Sequence, residues 1–307
     1  MTMQVVNIFQ SMSAEEVGLI GKYSRLVTYR NAEPVLLEDE PGNQMFVIKS
    51  GTVKVYVGTI WVVDLGPGDV FGEVSLIDNG TRTASIFASG SVELLAMNAG
   101  EVDLIAEAKK EVAIKLIANL AKILSKKLIM VDDFIMKQTG YDLKTKFSEV
   151  MLDVGQKRDT SLFTGLSNHM MEWLRQYFTT AEYQQGENIV QEGDFGSELF
   201  QIVLGQADVL IDERKVAGLK DNDIFGEISF LLGTSRTATI RAMSDVHVNK
   251  ISSAKFNSLS KDFPFIGYRI YVNLCKLLAG KLRLADNVIR QSMDNIVYLD
   301  VKKSLGV

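Results

Sequence analysis

The sequence predicts a mainly β protein with flanking helices, built from two tandem copies of one unit. The main observation is an internal repeat: residues 71–76 read FGEVSL and residues 225–230 read FGEISF. Each block is followed by Arg-Thr-Ala, at residues 82–84 and 236–238, so both pairs are 154 residues apart. Solenoid repeats have periods of only ~20–50 residues. Each copy is therefore long enough to bury a core of its own.

The repeat covers most of the chain and divides it into two domains. From about residue 7 to about residue 135, the same offset aligns the copies without a gap; examples are Phe9 with Phe163, Gly51 with Gly205, and Lys127-Leu128 with Lys281-Leu282. The predicted boundaries are 1–140 for the first domain, 141–153 for a linker or helix continuation, and 154–307 for the second domain with a C-terminal tail.

Composition limits the classes of function. The chain has 307 residues, 47% of them hydrophobic and 23% charged, which is ordinary for a globular protein. A net charge of −5 argues against a surface built mainly for nucleic acid. The single cysteine, Cys275, forbids an intrachain disulfide, and its apolar helical context indicates a small buried residue. Without a signal peptide or an apolar run of ~20 residues, we expect a cytoplasmic protein that does not enter membranes.

One copy can be followed along the chain. Residues 13–27 begin with Ser13 and carry Glu16 three positions later, which is the pattern of a capping box and predicts a short helix. From Tyr29 to about Asp69, short apolar segments alternate with Gly, Pro and Asn, as in strands joined by tight turns. Strand composition returns from Thr83 to Met97.

A turn precedes each repeated block. Gly68 is replaced by Asn222 in the second copy, and these two residue types accept positive φ most readily. We therefore predict a tight turn with positive φ at this position in both copies.

A long helix follows the strands. From Asn98 to about Phe134 the apolar period becomes helical. One face of this helix and of its counterpart is apolar, with Leu116, Leu120, Ile123, Leu124 and Leu128 in the first copy and Ile270, Leu274, Leu277, Leu278 and Leu282 in the second. This face could pack on its own β domain, which is the simpler interpretation, or form a homodimer contact.

The repeated block has the chemistry of a phosphate site. Gly72 lets a ligand approach the backbone, and the residues from Glu73 to about Asp78 allow only a short helix with free N–H groups. Arg82 offers a fork of donors that matches phosphate oxygens. The carboxylate of Glu73 could accept hydrogen bonds from sugar hydroxyls. The pattern indicates a sugar phosphate or a nucleotide. The alternative is a structural ion pair between Glu73 and Arg82.

This block resembles the phosphate-binding cassette of the cyclic nucleotide-binding domain family. The whole chain is similar to the tandem domains of the regulatory subunits of cAMP-dependent protein kinase, and each copy to the sensor domain of the catabolite activator proteins. The resemblance implies two double-stranded β-helix (jelly-roll-like) domains, each followed by a long helix.

The resemblance also implies a role for individual residues. Glu73 and Glu227 would accept the ribose 2′-hydroxyl, and Arg82 and Arg236 would pair with the cyclic phosphate. The predicted sites comprise Phe71, Gly72, Glu73, Val74, Ser75, Arg82, Thr83 and Ala84 in the first copy, and Phe225, Gly226, Glu227, Ile228, Ser229, Arg236, Thr237 and Ala238 in the second. Tyr298 is a candidate lid over the base of the second ligand.

The resemblance favours cAMP as the ligand. Thr83 and Thr237, which follow the arginines, resemble the hydroxyl residue found there in cGMP-dependent kinases and in many bacterial cAMP receptors. cGMP is therefore the second candidate. No metal and no further cofactor is expected.

Two functions remain open at this stage. The first is a non-catalytic receptor that changes conformation on binding a cyclic nucleotide and regulates a separate protein partner. The second is a structural or interaction protein whose cages are ligand-free or hold another ligand. An enzyme would need metal ligands or a nucleophile with its base, and two isolated histidines, His169 and His247, with one cysteine in an apolar context, Cys275, supply neither. We therefore expect no catalysis.

Overall fold

The computed structural model describes residues 7–139 and 162–305, with side chains described for 7–131 and 162–286. The first repeat contains, in order, α1 Ala14–Lys22, β1 Arg25–Tyr29, β2 Pro34–Leu36, β3 Gln44–Val57, β4 Ile60–Leu65, β5 Val70–Phe71, α2 Glu73–Asp78, β6 Ser85–Asn98, α3 Ala99–Ala108 and α4 Lys110–Thr139. The second repeat contains α5 Asn168–Leu174, β7 Thr179–Tyr183, β8 Asn188–Val190, β9 Glu198–Leu204, β10 Ala207–Ile211, β11 Arg214–Leu219, β12 Ile224–Phe225, α6 Glu227–Leu232, β13 Thr239–Ala242, β14 Val246–Ser252, α7 Ser253–Asp262 and α8 Pro264–Leu305.

The strands of each repeat form an antiparallel β domain. In the first repeat, the order β1-β6-β3-β4 is extended by β2 on β6 and by β5 on β3. In the second repeat, the long strands are divided, and two four-stranded sheets have the orders β11-β10-β13-β8 and β12-β9-β14-β7. The mainly β architecture with flanking helices, duplicated along the chain, confirms the predicted fold class.

A glycine with positive φ lies within β3 of the first repeat and between β9 and β10 of the second. Gly51 has φ +86°, and a Cβ atom there would lie 2.4 Å from the carbonyl oxygen of Ser91. Gly205 has φ +103°, and its Cβ atom would lie 2.4 Å from the carbonyl oxygen of Asp245. Both positions need glycine, because an L side chain would be strained and would collide with backbone that cannot move aside cheaply.

Several local predictions are confirmed. Ser13 and Glu16 form the reciprocal hydrogen bonds of a capping box. Gly68 and Asn222 both have positive φ, at +91° and +72°. The short helix of the first block spans Glu73–Asp78, as its sequence predicts.

Two helix boundaries differ from the prediction. The first helix ends at Lys22 rather than near residue 27, because Arg25–Tyr29 pairs with β6. The helical segment after Asn98 is also divided, since Lys109 has an extended backbone (φ −156°, ψ 95°) that ends α3 before α4 begins. The change of direction lets α3 stay on the β domain while α4 continues past it.

The long helices pack on each other within the chain. α4 contacts α8, and their leucine stripes share one core with residues of both β domains, among them Met45, Val70 and Leu199. The stripe therefore packs both on its own β domain and on the other repeat. Because this face is covered within one polypeptide, a homodimer would need another surface. In the described part of the chain, no helix is both long and apolar enough to cross a bilayer.

Each cassette helix also contacts the long helix of the other repeat. α2 packs on α8, and α6 packs on α4. Each long helix thus contacts the cassette helix of the other repeat as well as its own β domain.

Cys275 lies in this helix–helix core. Its Sγ is 3.5 Å from the carbonyl oxygen of Ile117 on α4, and burial raises the pKa of its thiol. Because the thiolate is the reactive species, we expect Cys275 of the native protein to resist a disulfide reagent at about pH 8. In denaturant, one thiol per chain should react, and the reagent should release one equivalent of its chromophore. Rapid stoichiometric reaction of the native protein would contradict this placement.

Candidate functional site

The two short helices α2 and α6 begin after glycines with a left-handed backbone. Gly72 has φ +76° and Gly226 has φ +78°. Each helix has six residues and ends at another left-handed residue, Asn79 or Gly233. The chain therefore makes the same compact turn twice and returns each time along the strand that carries the arginine.

The arginine of each repeat is buried under this turn. Nη1 of Arg82 donates hydrogen bonds to the carbonyl oxygens of Gln44 and Gly72, at 2.6 and 2.9 Å, and to Oγ of Ser75, at 2.7 Å. Arg236 makes the matching contacts in the second repeat, with the carbonyls of Glu198 and Gly226 at 2.9 and 3.2 Å and Oγ of Ser229 at 2.6 Å. One end of each guanidinium is thus fixed by the protein.

The glycines of the block make room for the arginine. A Cβ atom on Gly72 would lie 2.8 Å from Nη1 of Arg82 and 2.9 Å from the carbonyl oxygen of Gln44. A Cβ atom on Gly42 would lie 2.4 Å from Nε of Arg82. The space at Gly72 was predicted to admit a ligand, but the arginine side chain itself occupies it.

The glutamate of each block pairs with a lysine of the following long helix. Nζ of Lys127 lies 2.7 Å from Oε1 of Glu73, which is only 2% exposed, and it also donates to the carbonyl oxygen of Val70 at 2.9 Å. Lys281 and Glu227 form the same pair at 2.7 Å. Among the described residues, no Glu73–Arg82 pair lies within 4.0 Å, so the structural ion pair considered as an alternative is wrong.

Lys127 and Lys281 were not among the predicted site residues. The sequence did indicate them, because both equivalent positions carry a lysine directly beside the leucine stripe. The sequence did not indicate which residue each lysine contacts, because the partner glutamate lies 54 residues earlier in the chain in both repeats.

Both arginines remain cationic. Burial lowers the pKa of Arg82, and the negative charges of Glu73 and Glu40 oppose this effect. Burial likewise lowers the pKa of Arg236, with Glu198 and Glu227 opposing it. Because a guanidinium is not deprotonated in proteins near neutral pH, each site has a permanent buried positive charge.

The predicted residues of each repeat line one cavity. The first cavity has a volume of about 660 Å³ and is lined by all eight predicted residues, together with Lys127 and Met130 of α4 and Leu282 and Asp286 of α8. The second has a volume of about 190 Å³ and is lined by its eight predicted residues, with Lys281 of α8 and Leu128 and Ile129 of α4. Both repeats therefore contribute to each cavity. Tyr298 belongs to α8, but its side chain lies outside the described residues.

A buried ion pair joins the first cassette to the helix of the second repeat. Arg283 of α8 contacts Asp78 of α2 through Nε–Oδ2 and Nη2–Oδ1, at 2.7 and 2.9 Å, and Nη2 also donates to the carbonyl oxygen of Thr81 at 2.8 Å. Gly80 leaves space for this contact, since its Cβ atom would lie 2.4 Å from Nη2 of Arg283. The residues at the equivalent positions, Ile129 and Leu232, are both apolar.

The sequence matches a family model twice and is similar to several known proteins. The model of the cyclic nucleotide-binding domain matches residues 26–108 and 180–263. A cGMP-dependent protein kinase of Toxoplasma gondii is 25% identical over 76% of this chain and 20% of its own length. A regulatory subunit of cAMP-dependent protein kinase from Debaryomyces hansenii is 25% identical over 75% of this chain and 44% of its own length. The chain thus spans less than half the length of these relatives.

Two solved structures are also similar to this chain. The regulatory domain of Toxoplasma gondii PKA with cAMP is 18% identical, with a TM-score of 0.29, over 82% of this chain and 87% of that chain. The catabolite activator protein of Thermus thermophilus is 26% identical, with a TM-score of 0.38, over 58% of this chain and 75% of that chain.

The fold and the duplicated cassette define a tandem pair of β domains, each with a cavity of its own. Since the two matched segments cover more than half of the sequence, the chain belongs to the cyclic nucleotide-binding domain family.

Proposed function

We propose that this protein is a non-catalytic receptor for a 3′,5′-cyclic nucleotide, with cAMP favoured and cGMP as the second candidate. The observation that carries the proposal is the same in both repeats. A buried arginine and a buried glutamate face one cavity, which is lined by all eight residues of the cassette. As in the regulatory subunits to which the chain is similar, the output would be control of a separate protein partner.

The first site has donors left for a phosphate. Nη1 of Arg82 is fixed by three acceptors, while no acceptor among the described residues bonds to its Nε or Nη2. These two nitrogens form an edge that suits two oxygens of a singly charged cyclic phosphate. Glu73 on the same cavity would accept the ribose 2′-hydroxyl, and Ser75 and Thr83 would complete the phosphate end.

The ion pair of Glu73 with Lys127 connects the proposed binding site to the long helix α4. Because the carboxylate that would accept the ribose hydroxyl is already held by α4, ligand and helix share one group. A ligand that engages Glu73 would alter the Lys127 contact and so favour another position of α4. A ligand shifts such an equilibrium only by its differential affinity for the two positions. The same argument applies to Glu227 and Lys281 of α8.

The threonines that follow the arginines bear on the choice of base. Thr83 and Thr237 line the cavities directly after the arginines, where a hydroxyl can serve either nucleotide. The relatives include a cGMP-dependent kinase and regulatory subunits of cAMP-dependent kinases. Tyr298 stays a candidate lid for the second base.

Isothermal titration of the full chain with cAMP, cGMP and linear AMP tests the proposal. We expect cAMP to bind most tightly and AMP to bind least, because the dianionic open phosphate fits a single guanidinium poorly. The double variant R82A/R236A should bind at least about tenfold more weakly, since a hydrogen bond to a charged group contributes about 1.5–3 kcal/mol.

The matched control is R241A, which removes an arginine of the second repeat that pairs with Glu213 on the surface. This variant should bind like the unchanged protein. Recovery of intact nucleotide after incubation would support binding without turnover. No heat with either cyclic nucleotide at tens of micromolar would defeat the receptor proposal, as would equal binding by R82A/R236A.

A further inference from the structure

The residues that accept hydrogen bonds from Nη1 of the two arginines differ at one position. Gln44 and Glu198 occupy equivalent positions 154 residues apart, and the backbone carbonyl of each accepts a hydrogen bond from Nη1 of its arginine. Their side chains differ in charge. Oε2 of Glu198 lies 3.3 Å from Nη2 of Arg236, whereas Gln44 is neutral. Within the described residues, Arg82 has no carboxylate oxygen within 4.0 Å.

Glu198 therefore occupies the nitrogen that is left for a ligand in the first site. With Nη1 of Arg236 fixed by Gly226, Ser229 and the Glu198 carbonyl, Nη2 belongs to the edge that would meet a phosphate. The Glu198 side chain is 40% exposed, so its carboxylate can leave this position for solvent. A phosphate at Arg236 must displace that carboxylate or remain beside a like charge, and both cost affinity.

The cavities differ in the same direction. Pockets that hold small organic ligands measure about 300–1,000 Å³. The first cavity, at about 660 Å³, falls within this range, whereas the second, at about 190 Å³, falls below it. The second site must therefore expand as well as release Glu198 before it can accept a nucleotide.

We propose that Glu198 sets the affinity of the second site by holding Arg236 in place of the ligand phosphate, so that the nucleotide fills the first site before the second. This inference rests on the proposed receptor function. It predicts that the two sites fill at different nucleotide concentrations and that the carboxylate of Glu198 causes the difference. The neutral residue at position 44 leaves the first site ready to bind.

Single-site backgrounds make the test direct. In R82A only the second site keeps its arginine, and in R236A only the first does. Titration with cAMP should give a dissociation constant at least about tenfold higher for R82A than for R236A, because a displaced ion pair and a like charge both oppose binding. Adding E198Q to R82A should tighten binding about tenfold, and adding Q44E to R236A should weaken it by a similar factor.

The exchange is conservative, since each variant installs the residue that the other repeat carries at the same position. E198A in the R82A background serves as a second variant and should also tighten binding. Equal affinities in the two backgrounds, or no gain from either E198Q or E198A, would overturn the inference while leaving the receptor function intact. Absence of binding in the unchanged chain would instead mark failure of the receptor function itself.

Discussion

Replacing Leu124 with Ala is expected to lower the free energy of unfolding by about 3 kcal/mol, within the range of about 2–5 kcal/mol for buried leucines. Leu124 is fully buried in the core that α4 and α8 share. The substitution removes apolar contacts and leaves a cavity that rigid neighbours cannot fill. Its counterpart, L278A on α8, should have a similar effect, because Leu278 is fully buried too. Urea denaturation followed by circular dichroism measures both.

The control for these variants is L104A. Leu104 lies on α3 and is 47% exposed, so this substitution should cost less than about 1 kcal/mol. Because the core extends through both repeats, the fluorescence of Trp61 in the first repeat and Trp173 in the second should report one common transition. Separate midpoints for the two tryptophans, or equal effects of L124A and L104A, would show that the helices do not form a shared core.

The second large effect is expected at the ion pair between Asp78 and Arg283. The single variants D78L and R283I should each lower the free energy of unfolding by about 3 kcal/mol, since removing one partner of a largely buried pair takes away the opposite charge that neutralises the other. The Asp78 side chain is only 2% exposed. In the double variant D78L/R283I, most of this loss should be recovered, because Leu and Ile are the residues that the chain carries at the equivalent positions 232 and 129.

A double-mutant cycle measured by urea denaturation gives the coupling between the two positions. We expect the combined loss to be at least about 2 kcal/mol smaller than the sum of the single losses. The surface pair of Arg241 with Glu213 serves as the comparison, and R241A should cost less than about 1 kcal/mol. Additive losses at Asp78 and Arg283 would mean that the pair does not hold the first cassette against α8.

The sequence predicted features that depend on local chemistry. The bounds of α2 follow from Gly72 before it and Asn79 after it, and the turn shared by Gly68 and Asn222 follows from their tolerance of positive φ. The resemblance of the repeated block to the phosphate-binding cassette identified sixteen residues, and all of them line the two cavities. Each of these inferences uses residues that are close in the chain.

Contacts between distant residues were not predictable in this way. The period of the leucine stripe shows that one face of α4 is apolar, but not that α8 would cover it. The pair of Asp78 and Arg283 joins positions 205 residues apart, and neither residue has a counterpart of the same type in the other repeat. The break at Lys109 has no Gly or Pro of its own, and only Pro264, at the position equivalent to Lys110 in the second repeat, indicates it. The difference between Gln44 and Glu198 matters only once both are seen beside an arginine.

The contact of each long helix with the cassette helix of the other repeat has a consequence for the proposed receptor. Two identical subunits that completed each other's clefts would separate on dilution, and every substitution in one cleft would appear in both. A single polypeptide keeps its halves together at any concentration, so the response of the proposed receptor would depend on the nucleotide concentration and not on the concentration of the protein. The two repeats can also diverge in sequence. Arg283 of the second repeat, for example, has Ile129 at the equivalent position of the first.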